Sequence, residues 1–504
     1  MTARPALRIF GVDSKGWAIS DRAARHPSAA RSPRLALRTR VAVAAGRLAA
    51  CISRRLRIGA GSVIGGRLAL RISPDVLARL ADGRTSVVVT GTNGKTTTSH
   101  LVAAALAGRG PVAHNAAGSN MLDGAVAALA AAPRSQLCVL EVDELHLGPV
   151  VDAVRPDVLV VLNLSRDQLD RVSEIRSTAR AVAGVLVGHP ETLVVANVDD
   201  PMVVWAVSAA ARVVWASAGA TWQADTLACP TCGHRLTRER HGLLSGSWCC
   251  SHCGLTRPLP EWWWEPDQRH QQRGDHAGGS ADAHFLVHRR AGAPVPVSLG
   301  LPGRVNAGNA TVALVAAAAI GTDPATAARH LAAVREVAGR YGRLAYRGRL
   351  VRSLLVKNPA GWGEALDMLA ADRPVLVVIN AREADGRDVS WLWDLPVEAL
   401  RGRAVAVAGE RAADFGVRLS YAEIPHHTRP DPLAALETLP AGEVDAVANY
   451  TAFRDLQQSL TGKGRARARM TRHAATYPQA ALATPSATRS PHPMASALRA
   501  RAQR

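Results

Sequence analysis

From about Pro74 onward the chain alternates between short apolar runs and alanine-rich or amphipathic stretches. The runs Ser86–Thr90, Leu137–Glu141, Val158–Asn163, Leu193–Asn197 and Arg212–Ala216 are only five or six residues long and carry Val and Leu without strict polar alternation. Runs of that kind predict strands buried on both faces, and the stretches between them predict covering helices. The expected architecture is α/β with a mainly parallel sheet. A helix is expected near Asn306–Ile320, then a second α/β region from about Leu350 to Leu460, with strands at Arg352–Val356, Val375–Asn380 and Ala404–Ala408. Ahead of all this, residues 36–58 predict one helix with an apolar face, broken by Gly59-Ala60-Gly61-Ser62. Residues 1–35 show little periodicity, and the tail from Thr461 has the composition of a disordered segment.

Length and composition narrow the class. The 504 residues suffice for two or three domains, and 48 % hydrophobic content is ordinary for globular protein. No apolar run approaches the roughly 20 residues a membrane helix needs. With no clean apolar stretch near Met1, the expected location is cytoplasmic. The formal charge of +20 resides at the ends: residues 1–60 hold 13 Lys/Arg against 2 Asp/Glu, and residues 461–504 hold 9 Lys/Arg and no acid. The chain between is neutral overall, which opposes a folded nucleic-acid-binding face. Solvated ends, or attraction to anionic lipid or an acidic substrate, remain the alternatives for the basic excess.

The strongest chemical signal is Gly91-Thr92-Asn93-Gly94-Lys95-Thr96-Thr97-Thr98, between the strand Ser86–Thr90 and the helical stretch Ser99–Leu106. Glycines let the backbone wrap phosphate oxygens, and the following helix start adds partial positive charge. Lys95 is expected to reach the β and γ phosphates of ATP, and Thr96 to offer its hydroxyl to Mg²⁺. The loop is shorter than the general phosphate-loop pattern, since Val89 stands where the first glycine of that pattern would be. Glu141 ends an apolar strand, and the carboxyl edge of an α/β sheet is where ligands gather, so it is a candidate Mg²⁺ ligand. For Asp143 and Glu144 a solvated loop is an equal alternative.

Cys229-Pro-Thr-Cys232 and Cys250-Ser-His-Cys253 form two CxxC pairs with 17 residues between them. Four thiolates fill a tetrahedral shell, so the expectation is a closed, structural Zn²⁺ site in a ribbon too small to bury its own core. Cys249 is the competing neighbour, but the CxxC spacing favours Cys250. The ribbon is expected as an insertion at about 223–265, including Trp262-Trp263-Trp264.

The phosphate loop resembles that of the Mur ligase family, where GTNGKT is the ATP-binding signature. In that family a carboxylate is phosphorylated and an amine then displaces the phosphate. Glu141-Val142-Asp143-Glu144 resembles the segment carrying the family's Mg²⁺ glutamate. Asn163-Leu164-Ser165-Arg166-Asp167-Gln168-Leu169-Asp170-Arg171 resembles its NxxxDHLD stretch, with Gln168 in the histidine position. That glutamine narrows the resemblance to the MurT type, from whose segment Ser165 and Val172 depart. Asn197-Val198-Asp199-Asp200-Pro201 resembles the NADDP segment, and Asn306 and Asn309 the asparagines of a helix start that here lacks its tyrosines. The nucleotide-binding residues implied are Gly91, Thr92, Asn93, Gly94, Lys95, Thr96, Thr97, Glu141, Asn163 and Asn197, with Lys95 and Glu141 also catalytic.

Two later segments, Lys357-Asn358-Pro359-Ala360-Gly361-Trp362-Gly363-Glu364 and Asp385-Gly386-Arg387-Asp388-Val389-Ser390-Trp391-Leu392-Trp393-Asp394, resemble signatures of the MurT C-terminal domain. The resemblance covers about residues 36–460. It implies the synthetase subunit of a lipid II isoglutaminyl synthase, with lipid II as substrate and a GatD-type glutamine amidotransferase as partner. An aspartate of this subunit would complete the partner's Cys and His. Asp388 is the first choice and Asp385 remains open; Val389, Trp391, Trp393 and Leu395 alternate as a strand or tight packing unit would. Cys51 and Cys138 lack the setting of a glutaminase nucleophile, so ammonia is expected from outside. The short stretch before the first strand leaves no room for a uridine-nucleotide-binding domain, which suits lipid II, and peripheral contact with the inner membrane face would follow from that substrate. The expected division is 1–58, a basic extension and helix; 59–325, the ATP-binding domain; 335–460, the C-terminal domain; and 461–504, a basic tail. The alternatives are a conventional amino-acid-adding Mur ligase and a zinc-ribbon nucleic-acid NTPase.

Overall fold

The computed structural model describes residues 36–56, 62–116, 118–166, 175–219, 224–239, 246–268, 283–337, 339–370 and 372–462. The expectations for 1–35, for Asp167 to Arg171 and for most of the basic tail therefore lie outside the described residues.

Two helices open the described chain, α1 (Leu37–Arg55) and α2 (Ser62–Ile72). They lie against each other at Gly46 and Gly65, where a Cβ on either glycine would come within 2.6 Å of the other's carbonyl oxygen. Ordered structure thus begins well before Pro74, and Ser62 starts a helix instead of belonging to a break. The helix expected at 36–58 is present as α1; α2 and the pairing of the two stayed hidden, because their packing depends on a glycine-to-glycine crossing and not on large apolar residues.

The first sheet has nine strands: β1 (Thr85–Thr90), β2 (Val112–His114), β3 (Leu137–Glu141), β4 (Val158–Val161), β5 (Leu193–Asn197), β6 (Val213–Ser217), β9 (Trp262–Pro266), β10 (Ala283–Arg289) and β11 (Val295–Leu299). Between β6 and β9 a small two-stranded ribbon holds β7 (Thr237–Arg238) and β8 (Trp248–Cys249). The order is β11-β10-β9-β6-β5-β4-β1-β3-β2; pairing is parallel from β2 through β9, then antiparallel to β10 and β11. The expected parallel α/β core is present, with strands displaced by a few residues at most. Trp262-Trp263-Trp264, expected within the insertion, instead forms a strand of the main sheet, paired in parallel to β6. Long-range pairing across the ribbon decides that strand, and no local pattern announces it.

The second sheet contains β12 (Tyr341–Tyr346), β13 (Arg349–Leu355), β14 (Val375–Val378), β15 (Val405–Ala408), β16 (His426–Thr428) and β17 (Gly442–Ala448), ordered β12-β13-β17-β14-β15-β16. All its neighbours are parallel except β12 with β13. The helix Arg304–Ala319 is apolar nearly all round and buried along most of its length, and one continuous apolar cluster runs through it from β1 and β4 to β14 and β15. A helix buried on all sides needs no polar face, which explains its lack of amphipathic pattern. Ser390–Asp394, where the alternation predicts a strand or a tight packing unit, forms a short 3₁₀ turn with Trp391 buried and Trp393 exposed.

Candidate active site

β1 lies between β3 and β4 and is parallel to both, so successive crossovers run to opposite sides of β1 in the sheet order. Such a switch point opens a crevice at the carboxyl edge. The phosphate loop leaves β1 there, Glu141 ends β3, Asn163 follows β4 and Asn197 ends β5. Four strands thus bring the sequence-predicted residues to one edge.

Gly91 and Gly94 have φ of +134° and +80°, and each is closely packed. A Cβ at Gly91 would lie 2.9 Å from Leu162 Cβ, and one at Gly94 would lie 2.9 Å from Asn309 Oδ1. Only glycine meets both demands. Gly94 immediately precedes the helix Lys95–Ala105, so the loop feeds directly into the electropositive helix start. The loop is laced to the segment after β4: Thr92 N–H donates to Asn163 O at 2.9 Å, Ser165 N–H to Thr92 Oγ1 at 3.0 Å. Asn163 clamps Asn93 from both sides, accepting its N–H at 2.8 Å and donating to its carbonyl at 3.0 Å. Asn197 turns inward to brace its own loop, accepting from Asp199 N–H and Ala218 N–H. Thr97 lies in the first turn of the helix, half-buried.

Lys95 is 7 % exposed and its ammonium donates to the Glu144 carboxylate at 2.9 Å and to Thr92 O at 3.2 Å. Burial alone would push the Glu144 carboxyl up, but the charge and hydrogen bond of Lys95 outweigh it and hold it below its usual value. Glu144 is thus no solvated loop residue, whereas Asp143 accepts the Leu145 N–H as an ordinary turn cap. Thr96 Oγ1 donates to Glu141 Oε1 at 3.1 Å, while Glu141 Oε2 is buried without a partner. An orphaned carboxylate oxygen beside a phosphate-loop hydroxyl fits a divalent cation ligand.

Arg340 has no signal in the sequence, and Asn358 and Glu364, though part of the 357–364 segment, have no role assigned there. Arg340, just ahead of β12, donates to Thr96 Oγ1 at 2.8 Å. Asn358 exchanges two side-chain hydrogen bonds of 3.2 Å with Asn93, so the second region touches the phosphate loop directly. The same Asn358 caps the helix Pro359–Met368 by accepting Gly361 N–H at 2.9 Å. Asn-Pro is a local helix-start signal, but nothing local points to a partner 265 positions away. Glu364, on that helix, faces a cavity of about 140 Å³ that Asn93, Asn163, Asp199 and Arg304 also line. Burial pushes its carboxyl up to about 7, with the nearby Asp367 charge adding to the effect.

The three aspartates of the later motif differ in their surroundings. Asp385 is buried and accepts from Thr451 N–H, Thr451 Oγ1 and Arg382 N–H. Asp394 pairs with Arg166 at 3.2 Å. Asp388 is exposed, and its acceptance of the Ser390 N–H at 2.8 Å holds its carboxyl below the ordinary range. Cys138 is buried within β3, and burial pushes its thiol up to about 12, which makes it inert.

Cys229, Cys232, Cys250 and Cys253 bring their sulfurs within 4.8 Å of one another, and two of the pairs are 3.5 Å apart. A tetrahedron with metal–sulfur bonds of ~2.3 Å has edges of about 3.8 Å, so the cluster fits one ion. The two halves repeat one turn: Gly233 N–H donates to Cys229 O and Gly254 N–H to Cys250 O, both at 2.9 Å, with φ near +80° at each glycine. Cys249 points elsewhere, its sulfur 3.5 Å from Thr237 Oγ1. Trp248 anchors the ribbon on the main domain by donating from Nε1 to Val198 O at 3.1 Å.

Fold and site together define a phosphate-loop enzyme whose second α/β region closes onto the nucleotide edge of the first. Residues 89–229 match the Mur ligase middle domain and residues 355–453 the MurT ligase C-terminal domain. The chain is 28 % identical over 453 residues to the Lipid II isoglutaminyl synthase (glutamine-hydrolyzing) subunit MurT of Streptococcus pneumoniae, covering 85 % of this chain and 98 % of that one. It is 28 % identical over 382 residues to the subunit of the same name in Staphylococcus aureus strain N315, covering 72 % and 84 %. Among solved structures it is similar to a pseudomurein peptide ligase type C from Methanothermus fervidus, with a TM-score of 0.59, 17 % identity and 77 % and 81 % coverage. It is also similar to the MurF ligase of Thermotoga maritima in complex with ADP, with a TM-score of 0.56, 16 % identity and 79 % and 84 % coverage. The chain belongs to the Mur ligase family and, within it, to the MurT type. It is therefore a ligase of the Mur kind. No helix among the described residues is long and apolar enough to cross a membrane.

Proposed function

We propose that this chain is the ATP-dependent synthetase subunit that converts the D-glutamate α-carboxylate of lipid II to the amide of D-isoglutamine, using ammonia from a GatD-type glutaminase. The observation that carries the reading is the Asn93–Asn358 pair, which joins a Mur-type phosphate loop to the MurT-type C-terminal region.

In this reading the loop amides and the helix start at Lys95 hold the triphosphate of ATP, and Lys95 neutralises phosphate charge. Glu141 and Thr96 would hold Mg²⁺, which screens the charge that builds up during phosphoryl transfer. Arg340, aimed at Thr96, adds a second fixed cation on that side. A substrate carboxylate oxygen attacks the γ phosphorus, ADP leaves, and an acyl phosphate forms. Ammonia then adds to the acyl carbon, phosphate leaves with the C–O bond electrons, and one proton passes to solvent. The inert Cys138 supplies no nucleophile for glutamine, which supports an external nitrogen source. Asp388, exposed and without a basic partner among the described residues, suits the task of orienting the partner's histidine. The four cysteines take a structural Zn²⁺.

The test is ADP release in the presence of lipid II and Mg²⁺. Release should require either glutamine plus the glutaminase, or free ammonia at high concentration without it. Release driven equally well by a free amino acid would instead assign the chain to the amino-acid-adding ligases.

A further inference from the structure

We propose that the α1–α2 hairpin is a docking surface for an anionic lipid bilayer. α1 turns small residues inward, with Thr39, Ala42, Gly46 and Ser53 buried. Its opposite face carries Leu37, Val41, Leu48, Ile52 and then Leu56, exposed by 75, 51, 62, 49 and 64 %. Intervals of four, seven, four and four put these on one stripe of the helix and its cap. Val63 and Ile64 of α2 are exposed as well, so this hairpin and its Leu56 cap hold seven of the seventeen exposed large apolar residues among the described residues. A soluble surface scatters such residues; here they are gathered.

Charge selects the occupant. α1 contains Arg38, Arg40, Arg47, Arg54 and Arg55, α2 contains Arg67 and Arg71, and neither contains an acid. Arg40 and Arg54, about four helical turns apart, flank the apolar stripe on one side. A leucine-bearing stripe beside an arginine flank is the pattern of a helix lying in a membrane interface, side chains in the acyl boundary and guanidinium groups among phosphates. A second copy of this chain fits poorly, because it would bring arginine against arginine. The hairpin is built onto the ATP-binding region: Arg67 pairs with Asp123 at 3.0 Å, and Arg47 Nε donates to Ala130 O at 3.0 Å. Docking through it would hold the catalytic edge near a lipid-borne substrate, but the surface does not depend on which reaction the chain performs.

The experiment is sedimentation of the full chain with vesicles of phosphatidylglycerol and phosphatidylethanolamine, against vesicles of phosphatidylcholine alone. The expected result is binding to the anionic vesicles, weakened at least about tenfold by Leu48→Asp combined with Ile52→Asp. Arg40→Glu with Arg54→Glu should weaken it comparably. Thermal unfolding and ATP binding of these variants should match the unsubstituted chain, since no altered residue touches the phosphate loop. The apolar-face variant keeps both basic chain ends, so undiminished binding by it would assign the attraction to those ends and overturn the proposal. Equal affinity for the two vesicle types would overturn it too. So would a dimer of the unsubstituted chain that the variant converts to monomer without any vesicle binding.

Discussion

Replacing Glu364 with glutamine removes a carboxyl that the fold keeps protonated to about pH 7 against an ordinary 4.5. The folded state therefore holds a proton that the unfolded chain releases between those values. The stabilisation from that proton is complete below the unfolded value and is lost as pH rises through the folded one. A shift of about 2.5 units at 1.36 kcal/mol per unit gives about 3 kcal/mol for a fully shielded group. Water entering the cavity lined by Glu364 reduces this to about 1–3 kcal/mol. Glutamine cannot titrate, so urea unfolding of Glu364→Gln should gain that amount on the unsubstituted chain between pH 5 and pH 8. Asp200, which burial pushes up to about 6, contributes to both proteins and cancels in the difference. A constant stability difference across the interval would refute the claim that the surroundings of Glu364 raise its carboxyl.

Three further outcomes are expected. Lys95→Ala should leave the fold intact and reduce ATP turnover by about 10²–10³, the scale of losing one fixed charge on a transition state; near-normal turnover in a steady-state ADP assay would remove Lys95 from the site. Elemental analysis should find one Zn²⁺ per chain, and Cys250→Ser should lower both metal content and thermal midpoint, whereas Cys249→Ser should change neither. Asp388→Asn should lose glutamine-dependent amidation while keeping most ammonia-dependent amidation and partner binding, and Asp385→Asn should mainly destabilise, since Asp385 accepts from Thr451.

Local chemistry made part of this molecule legible in its sequence. The phosphate loop could be read because strand, glycines, lysine and helix follow one another within a few residues. The cysteine cluster could be read because each knuckle is a single turn. The position of Glu141 at the carboxyl end of β3 could be read because an apolar run ends on it. What stayed hidden depends on distant chain segments meeting. Glu144 looks like any loop acid until Lys95 is beside it. Asn358 and Arg340 acquire meaning only when the second sheet rests on the first. β9 takes its place by pairing with β6 across the ribbon and with β10 on its other side. That Asp385 is buried and Asp388 exposed is a difference their shared turn sequence does not encode.

The central claim is amidation of a lipid-borne carboxylate by this chain with a glutaminase partner. Its most direct test is the mass of the product after incubation of the chain, a GatD-type partner, ATP, Mg²⁺, glutamine and lipid II. A carboxylate that becomes an amide loses about 1 Da, and that loss should vanish without ATP or without a nitrogen source. A gain equal to a whole amino-acid residue, or no change in lipid II while ATP is consumed, would contradict the account.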